Sequence, residues 1–421
     1  MDIIAANGTA FIAIAVIFAL FLTWGIGAND VANAMGTSVG SGAITVKTAI
    51  IIAAIFEFLG AAFAGGHVTK TIRKGIIDPT PIVDHPEVLV FGMLAALLAT
   101  AIWLLMASLK GWPVSTTHSI VGALVGFGIA GIGIEAVNWG KIGQIAASWV
   151  ISPVVGGVMA FILMISIQRL ILRADKPLAS AIRWAPAYAF LVGFVMALVT
   201  LFKGLKNLDL DVSIPMSFLL AAMFGLIVAL VGRYAVNRVE IDPSADHSFQ
   251  FTNVERIFAP LMIFTACAMA FAHGSNDVAN GIGPLAAVFA LVSSGGDVGQ
   301  TSALPFWVLV LGGGGIVLGL ATYGYRVMQT IGRKITELTP SSGFCATMAA
   351  AATVVLASRT GMPVSTTHIA VGAVIGVGLA RGFAALDLRV IGSIVVSWVV
   401  TLPVSGLLAA FLYFTLKGMF T

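Results

Sequence analysis

Twelve apolar runs fill most of this 421-residue chain, near residues 9–28, 44–66, 88–109, 114–133, 143–168, 187–203, 214–234, 257–275, 302–326, 343–358, 364–380 and 391–417. Most are close to twenty residues long, which as a helix matches the roughly 30 Å hydrocarbon core of a bilayer. Hydrocarbon offers the backbone no hydrogen-bond partners, so only helices or closed barrels can cross it, and the period-two alternation of a barrel strand is missing. An all-α polytopic membrane protein with about twelve transmembrane helices is therefore expected. Apolar residues make up 59% of the chain and charged residues 10%, which excludes an ordinary soluble domain. The formal charge of +4 does not point to nucleic acid, because the basic residues sit in short loops between the apolar runs. Cys267 and Cys345 lack metal-ligand spacing and read as packing residues. The amino-terminal MDIIAANGTAFIAIAV has no basic n-region, so the first run reads as an uncleaved span.

Two polar motifs are each written twice inside this apolar sequence. Gly111–Gly128 reads GWPVSTTHSIVGALVGFG and Gly361–Gly378 reads GMPVSTTHIAVGAVIGVG, identical at 12 of 18 positions. GANDVANAMG at Gly27–Gly36 likewise returns as GSNDVANGIG at Gly274–Gly283. The chain is thus expected to hold two copies: residues 1–236 as the first repeat, 257–421 as the second, and the polar segment 237–256 between them as a cytoplasmic linker. The first NDVAN motif ends span one and the second ends span eight. Seven crossings separate them, so the copies face opposite ways, an inverted repeat of the kind found in secondary transporters with broken or re-entrant helices at the midplane. Placing the loop of Arg169, Arg173, Lys176 and Arg183 in the cytoplasm puts 14 of the 22 basic residues inside and both termini outside; Lys70, Arg73 and Lys74 are the exception.

The motifs carry chemistry suited to ions. In Pro113–His118 and Pro363–His368, proline suits a first helical turn, while Ser115, Thr116, Thr117 and Ser365, Thr366, Thr367 offer hydroxyls beside free backbone N–H groups. Such a helix start binds oxyanions. A plain cap with Ser and Thr bonded back to the helix would explain one copy; the second copy favours a ligand. Asn29, Asp30, Asn33 and Asn276, Asp277, Asn280 set amide and carboxylate oxygens one turn apart and suit a hard cation, with the flanking glycines expected to let the backbone unwind and add carbonyls. Neither motif holds Lys or Arg, so an anion there needs its charge offset, and co-bound cations would do so. Glu57 lies mid-span as a candidate for ion coupling; His118 and His368 are expected to support the site from behind, since neither has a second metal ligand at i+4. Ser148-Trp149 and Ser397-Trp398 mark equivalent helices, and Gly312–Gly315 is a close-packed or flexible helix segment with no phosphate-loop signature. Catalysis is not expected, because every candidate nucleophile and base recurs symmetrically. An anion channel is the competing class, since Ser and Thr also line pores.

With these residues in view, the chain resembles the inorganic phosphate transporter family of secondary carriers. GANDVANA, FEFLGA at Phe56–Ala61, TIRKGIID at Thr71–Asp78, GSNDVAN and both PVSTTH segments carry the resemblance along nearly the whole length. It implies a multi-pass plasma-membrane symporter for inorganic phosphate that works by alternating access, forms homodimers and keeps its termini outside the cell. It further implies phosphate contacts from Ser115, Thr116, Thr117, Ser365, Thr366, Thr367, Asn29 and Asn276, with Asp30, Asn33, Asp277 and Asn280 on the coupling ion. GANDVANA and TIRKGIID look like the sodium-dependent branch, where sodium is the coupling ion and no cofactor is needed; proton-coupled members carry a GFHDTANA-like first motif, and a proton- or metal-coupled symporter is the alternative.

Overall fold

The structure is a computed structural model and describes residues 3–66, 75–78, 80–201, 212–238, 251–298, 304–329, 331, 335–358 and 363–421. Each expected run is represented by one helix. In chain order these are α1 Ile3–Gly40, α2 Val46–Ala64, α3 Pro86–Lys110, α4 Thr116–Gly131, α5 Trp139–Ile167, α6 Pro177–Val199, α7 Ile214–Val236, α8 Thr252–Ser293, α9 Phe306–Thr322, α10 Pro340–Ser358, α11 Thr366–Arg381 and α12 Leu388–Phe420. Among the described residues nine of these are long and apolar enough to cross a membrane, while α4, α9 and α11 are shorter. Exposed apolar side chains such as Val399, Leu407 and Phe411 stand on the outside of the bundle, a surface that lipid rather than water can solvate. Lys70, Arg73 and Lys74, and residues 239–250 of the linker, lie outside the described residues. Thr252–Arg256, expected as linker, already belong to α8.

Orientation follows from contacts along α1 and α8. Gly8 lies against Val292, Gly281 against Thr23, and Ser41 donates to the sulfur of Met262. Numbers rise on one helix as they fall on the other, so the two helices are antiparallel. Both carry NDVAN in the same chain direction, and the copies are therefore inverted. In chain order the copies then match α2 with α9, α3 with α10, α4 with α11 and α5 with α12. Helices α6 and α7, packed on each other, have no counterpart among the described residues, where the matched elements of the first half end with α5 and its continuation to Leu172.

The breaks fall in spans four and eleven rather than in the NDVAN helices. After α3 the chain passes from exposed Lys110 and Trp112 to buried Val114 in non-helical conformation, and α4 starts only at Thr116. Sixteen residues of helix reach about 24 Å, short of a full crossing. Past α4, the Asn138 N–H donates to the Ile76 carbonyl at 2.9 Å; past α11, the Asp387 N–H donates to that of Ile335 at 3.0 Å. Each short helix thus returns to the end of the bundle from which α3 or α10 set out.

The expected unwinding of NDVAN does not occur. Helices α1 and α8 continue through both motifs to Gly40 and Ser293, well past the ends anticipated at residues 28 and 275. The flanking glycines serve approach instead: a Cβ on Gly27 would collide with the Ile316 carbonyl, and one on Gly274 with that of Glu57. Gly312, Gly313 and Gly315 are likewise packed, against α1, α2 and α8. Cys267 and Cys345 are free and buried.

Candidate functional site

The two short helices meet head to head inside the bundle. Ser115 caps α4 by accepting from the His118 N–H at 3.2 Å, and Ser365 caps α11 from His368 at the same distance. Helix geometry leaves the N–H groups of Thr116, Thr117, Thr366 and Thr367 without an i−4 carbonyl. The ends are laced together reciprocally: Thr117 Oγ1 donates to the Val364 carbonyl and Thr367 Oγ1 to that of Val114, both at 3.1 Å. Ser115 through Thr117 and Ser365 through Thr367 are all buried to within 3%.

The NDVAN side chains close around this junction. Thr116 Oγ1 donates to Asp30 Oδ2 at 2.5 Å, and Thr366 Oγ1 donates to Asp277 Oδ2 at 2.7 Å. Across the copies, Asn33 Nδ2 donates to Thr367 Oγ1 at 3.0 Å and Asn280 Nδ2 to Thr117 Oγ1 at 3.3 Å. Asn29 and Asn276 sit further back, donating to the carbonyls of Trp112 and Val364, and Asn29 Oδ1 also receives the Val114 N–H. The sequence-predicted residues of all four motifs thus converge at one place. Asp30 Oδ1, Asn276 Oδ1 and Asn280 Oδ1 are buried without a hydrogen-bond partner, an unusual cost inside a protein and a set of oxygens suited to cations. Among the described residues no lysine or arginine is buried.

His118 and His368 stand directly behind the helix starts. Their rings lie 4.3 Å apart, centroid to centroid, and each packs on the tryptophan of its own copy, His118 tilted against Trp149 at 3.8 Å and His368 stacked on Trp398 at 3.6 Å. Each Nδ1 lies near the other copy's tryptophan carbonyl, at 3.4 Å for His118 and 3.1 Å for His368. These four rings join the halves, and the backbone N–H groups of both histidines donate to the capping serines of the junction.

His273 escaped the sequence reading. It lies within reach of two carboxylates, Nε2 at 2.8 Å from Asp277 Oδ2 and Nδ1 at 3.3 Å from Glu57 Oε1, although the angles at these ion-pair distances fall outside hydrogen-bond geometry. His273, Glu57 and Asp277 are all buried. One ligand atom each from Asp30, His273 and Asp277 lies within 4.8 Å of the others. The signal was available: His273 precedes Asp277 by four residues on one helix, hence on one face.

A family model described as the phosphate transporter family matches residues 26–409. The chain belongs to that family. Among relatives of the phosphate transporter family, it is 47% identical to a candidate phosphate permease of Haemophilus influenzae over 423 residues, covering 100% of each chain. A second such permease, from Pyrococcus abyssi, is 47% identical over 399 residues, 94% of this chain and 96% of the relative. A solved structure of a sodium-dependent phosphate transporter superposes with a TM-score of 0.88 at 41% identity, covering 97% of this chain and 100% of the other. This chain is accordingly a membrane phosphate transporter and not an enzyme.

Proposed function

We propose that this phosphate transporter imports inorganic phosphate together with sodium by alternating access, with the anion held between the starts of α4 and α11. The single observation that carries this reading is the head-to-head junction itself. Two positive helix ends and six Ser and Thr hydroxyls converge there with three buried carboxylates nearby and, among the described residues, no buried Lys or Arg. Carboxylates and phosphate repel strongly at low dielectric. Sodium ions on Asp30, Asn33, Asp277 and Asn280 offset that repulsion, so anion and cation bind each other's site into existence. Both fluxes are then coupled through occupancy. In this reading Ser115 and Ser365 cap their helices and also turn their hydroxyl protons to phosphate, while Asn29 and Asn276 hold the connecting backbone that frames it. No cofactor takes part.

Inverted halves suit alternating access, since each presents the same surface to opposite sides. The termini of α1 and α12 share one end of the bundle, where the Phe11 and Phe420 rings are 5.0 Å apart, and Arg169, Arg173 and Lys176 lie at the other. Assigning the basic end to the cytoplasm places both termini outside. The family resemblance adds a homodimer in the plasma membrane. One feature favours a second reading, proton coupling: the buried Glu57–His273 pair is a place where a proton can be exchanged.

Radiolabelled phosphate uptake into proteoliposomes separates the two. An inward sodium gradient at equal pH should drive accumulation, and a proton gradient without sodium should not. Uptake that follows the proton gradient and ignores sodium would sink the sodium reading.

A further inference from the structure

The two ends of the bundle are built differently although the helices that form them are copies. At the end holding the termini, Phe11, Phe91 and Phe420 form a ring cluster with centroids 5.0 to 6.0 Å apart, and Phe11 and Phe91 are fully buried. At the basic end, polar side chains continue down α1 from the anion junction at every fourth residue: Asn33, Thr37, Ser41. Thr37 and Thr347 of α10 share a hydrogen bond at 2.7 Å, Gly343 packs one turn earlier on α10 beside the Thr37 carbonyl, and Ser41 bonds Met262 at 3.1 Å. Ser38, beside Thr37, has a fully buried hydroxyl with no partner. The series opens into a cleft of about 570 Å³ bordered by Gly42, Ser341, Arg256 and Arg381. Glu255 closes its floor by accepting from the Ser341 N–H at 2.7 Å and hydroxyl at 2.8 Å.

The inverted copy serves as an internal control. At positions matching Thr37, Ser41, Thr347 and Ser341 it has Pro284, Val288, Leu97 and Phe91. Helix packing therefore does not require hydroxyls there, and Ser or Thr placed only as interhelical glue would have no reason to line one end alone.

We propose that the Thr37–Thr347 hydroxyl pair and Ser41, one turn further along α1, form the route by which phosphate leaves the junction for the basic cleft where Ser341 lies, with Met262 and the Glu255–Ser341 contact as its closure. This rests on the phosphate-binding reading of the junction. Hydroxyls spaced one turn apart replace water on an oxyanion as it moves, and the arginines at the mouth draw it on.

The test measures inorganic phosphate binding to detergent-solubilised protein in saturating sodium chloride alongside uptake in proteoliposomes. For T37V/T347V, binding within about twofold of wild type with maximal uptake lowered about tenfold and KM little changed is expected. Unchanged uptake overturns the route, and lost binding also overturns it by placing both threonines in the junction itself. Failure of wild type to bind phosphate would instead remove the underlying reading. Independently, S41C in a C267A/C345A background should react with an anionic, membrane-impermeant thiol reagent at least tenfold faster from the basic face, and more slowly when sodium and phosphate are present. Equal rates from both faces, or no reaction from the basic face, would refute the route.

Discussion

The two copies of the NDVAN helix do the same thing on one side and different things on the other. Toward the junction, Asp30 and Asp277 each accept a hydrogen bond from the hydroxyl of the first threonine of a short helix, at 2.5 and 2.7 Å. Toward α2 and α9 the match fails: α8 carries His273 against Glu57, whereas the corresponding positions on α1 and α9 are Ile26 and Ile316. Backbone packing is retained in both, as Gly274 meets the Glu57 carbonyl and Gly27 that of Ile316. The difference teaches that the two helix starts are kept equivalent, as the proposed anion site requires, while one flank carries ionisable side chains that the fold itself does not demand.

The hardest blow to this comparison is Glu57→Ile alone. It leaves His273 without one of its two carboxylates, and breaking a buried pair from one side costs about 3–5 kcal/mol. A large drop in melting temperature in detergent is expected. E57I/H273I, which copies the other flank, should recover most of that stability and yet transport poorly; a double variant as unstable as the single one would show that the pair is structural rather than functional.

A smaller effect is expected from neutralising either aspartate. If the proposed ion assignment holds, Asp277→Asn and Asp30→Asn each weaken the hydrogen bond from a threonine hydroxyl and remove a cation ligand, worth about 1.5–3 kcal/mol, or roughly a 10- to 150-fold loss in apparent sodium affinity. Sodium dependence of uptake would measure it. If the flank matters, Asp277→Asn suffers more, because His273 then loses its nearer partner; equal losses would mean that the asymmetry does not reach the ions.

The smallest effect tests the symmetric side. Ser115→Ala and Ser365→Ala each remove a cap worth about 1 kcal/mol, and phosphate affinity should weaken about fivefold in both. Unchanged affinity in either variant would count against an anion shared between the two helix starts.

Much of this was legible in the sequence because the physics involved is local. Uncharged runs dictate helices in hydrocarbon, PVSTTH spells a capped helix start, and seven crossings between copies of one motif imply inversion, which the antiparallel α1 and α8 display. The NDVAN backbone was misjudged for a physical reason. Polar residues and glycines inside an apolar run look like a break, but here Thr116, Thr366 and Thr367 bond Asp30, Asp277 and Asn33 across the bundle and the glycines admit neighbouring backbones, so the helix continues unbroken. His273 was missed because its meaning depends on Glu57, 216 positions away in the chain.

The sequence by itself determined the helices, the duplication, the inversion and the residue types able to hold an oxyanion with cations, since each follows from hydropathy, spacing and side-chain chemistry. Only the tertiary structure decided that the four motifs meet at one point, that the breaks lie in spans four and eleven, and that one flank and one end of an otherwise repeated bundle are polar. Those outcomes depend on which side chains find partners across the bundle, and pairing between distant segments is a property of packing that no local pattern encodes.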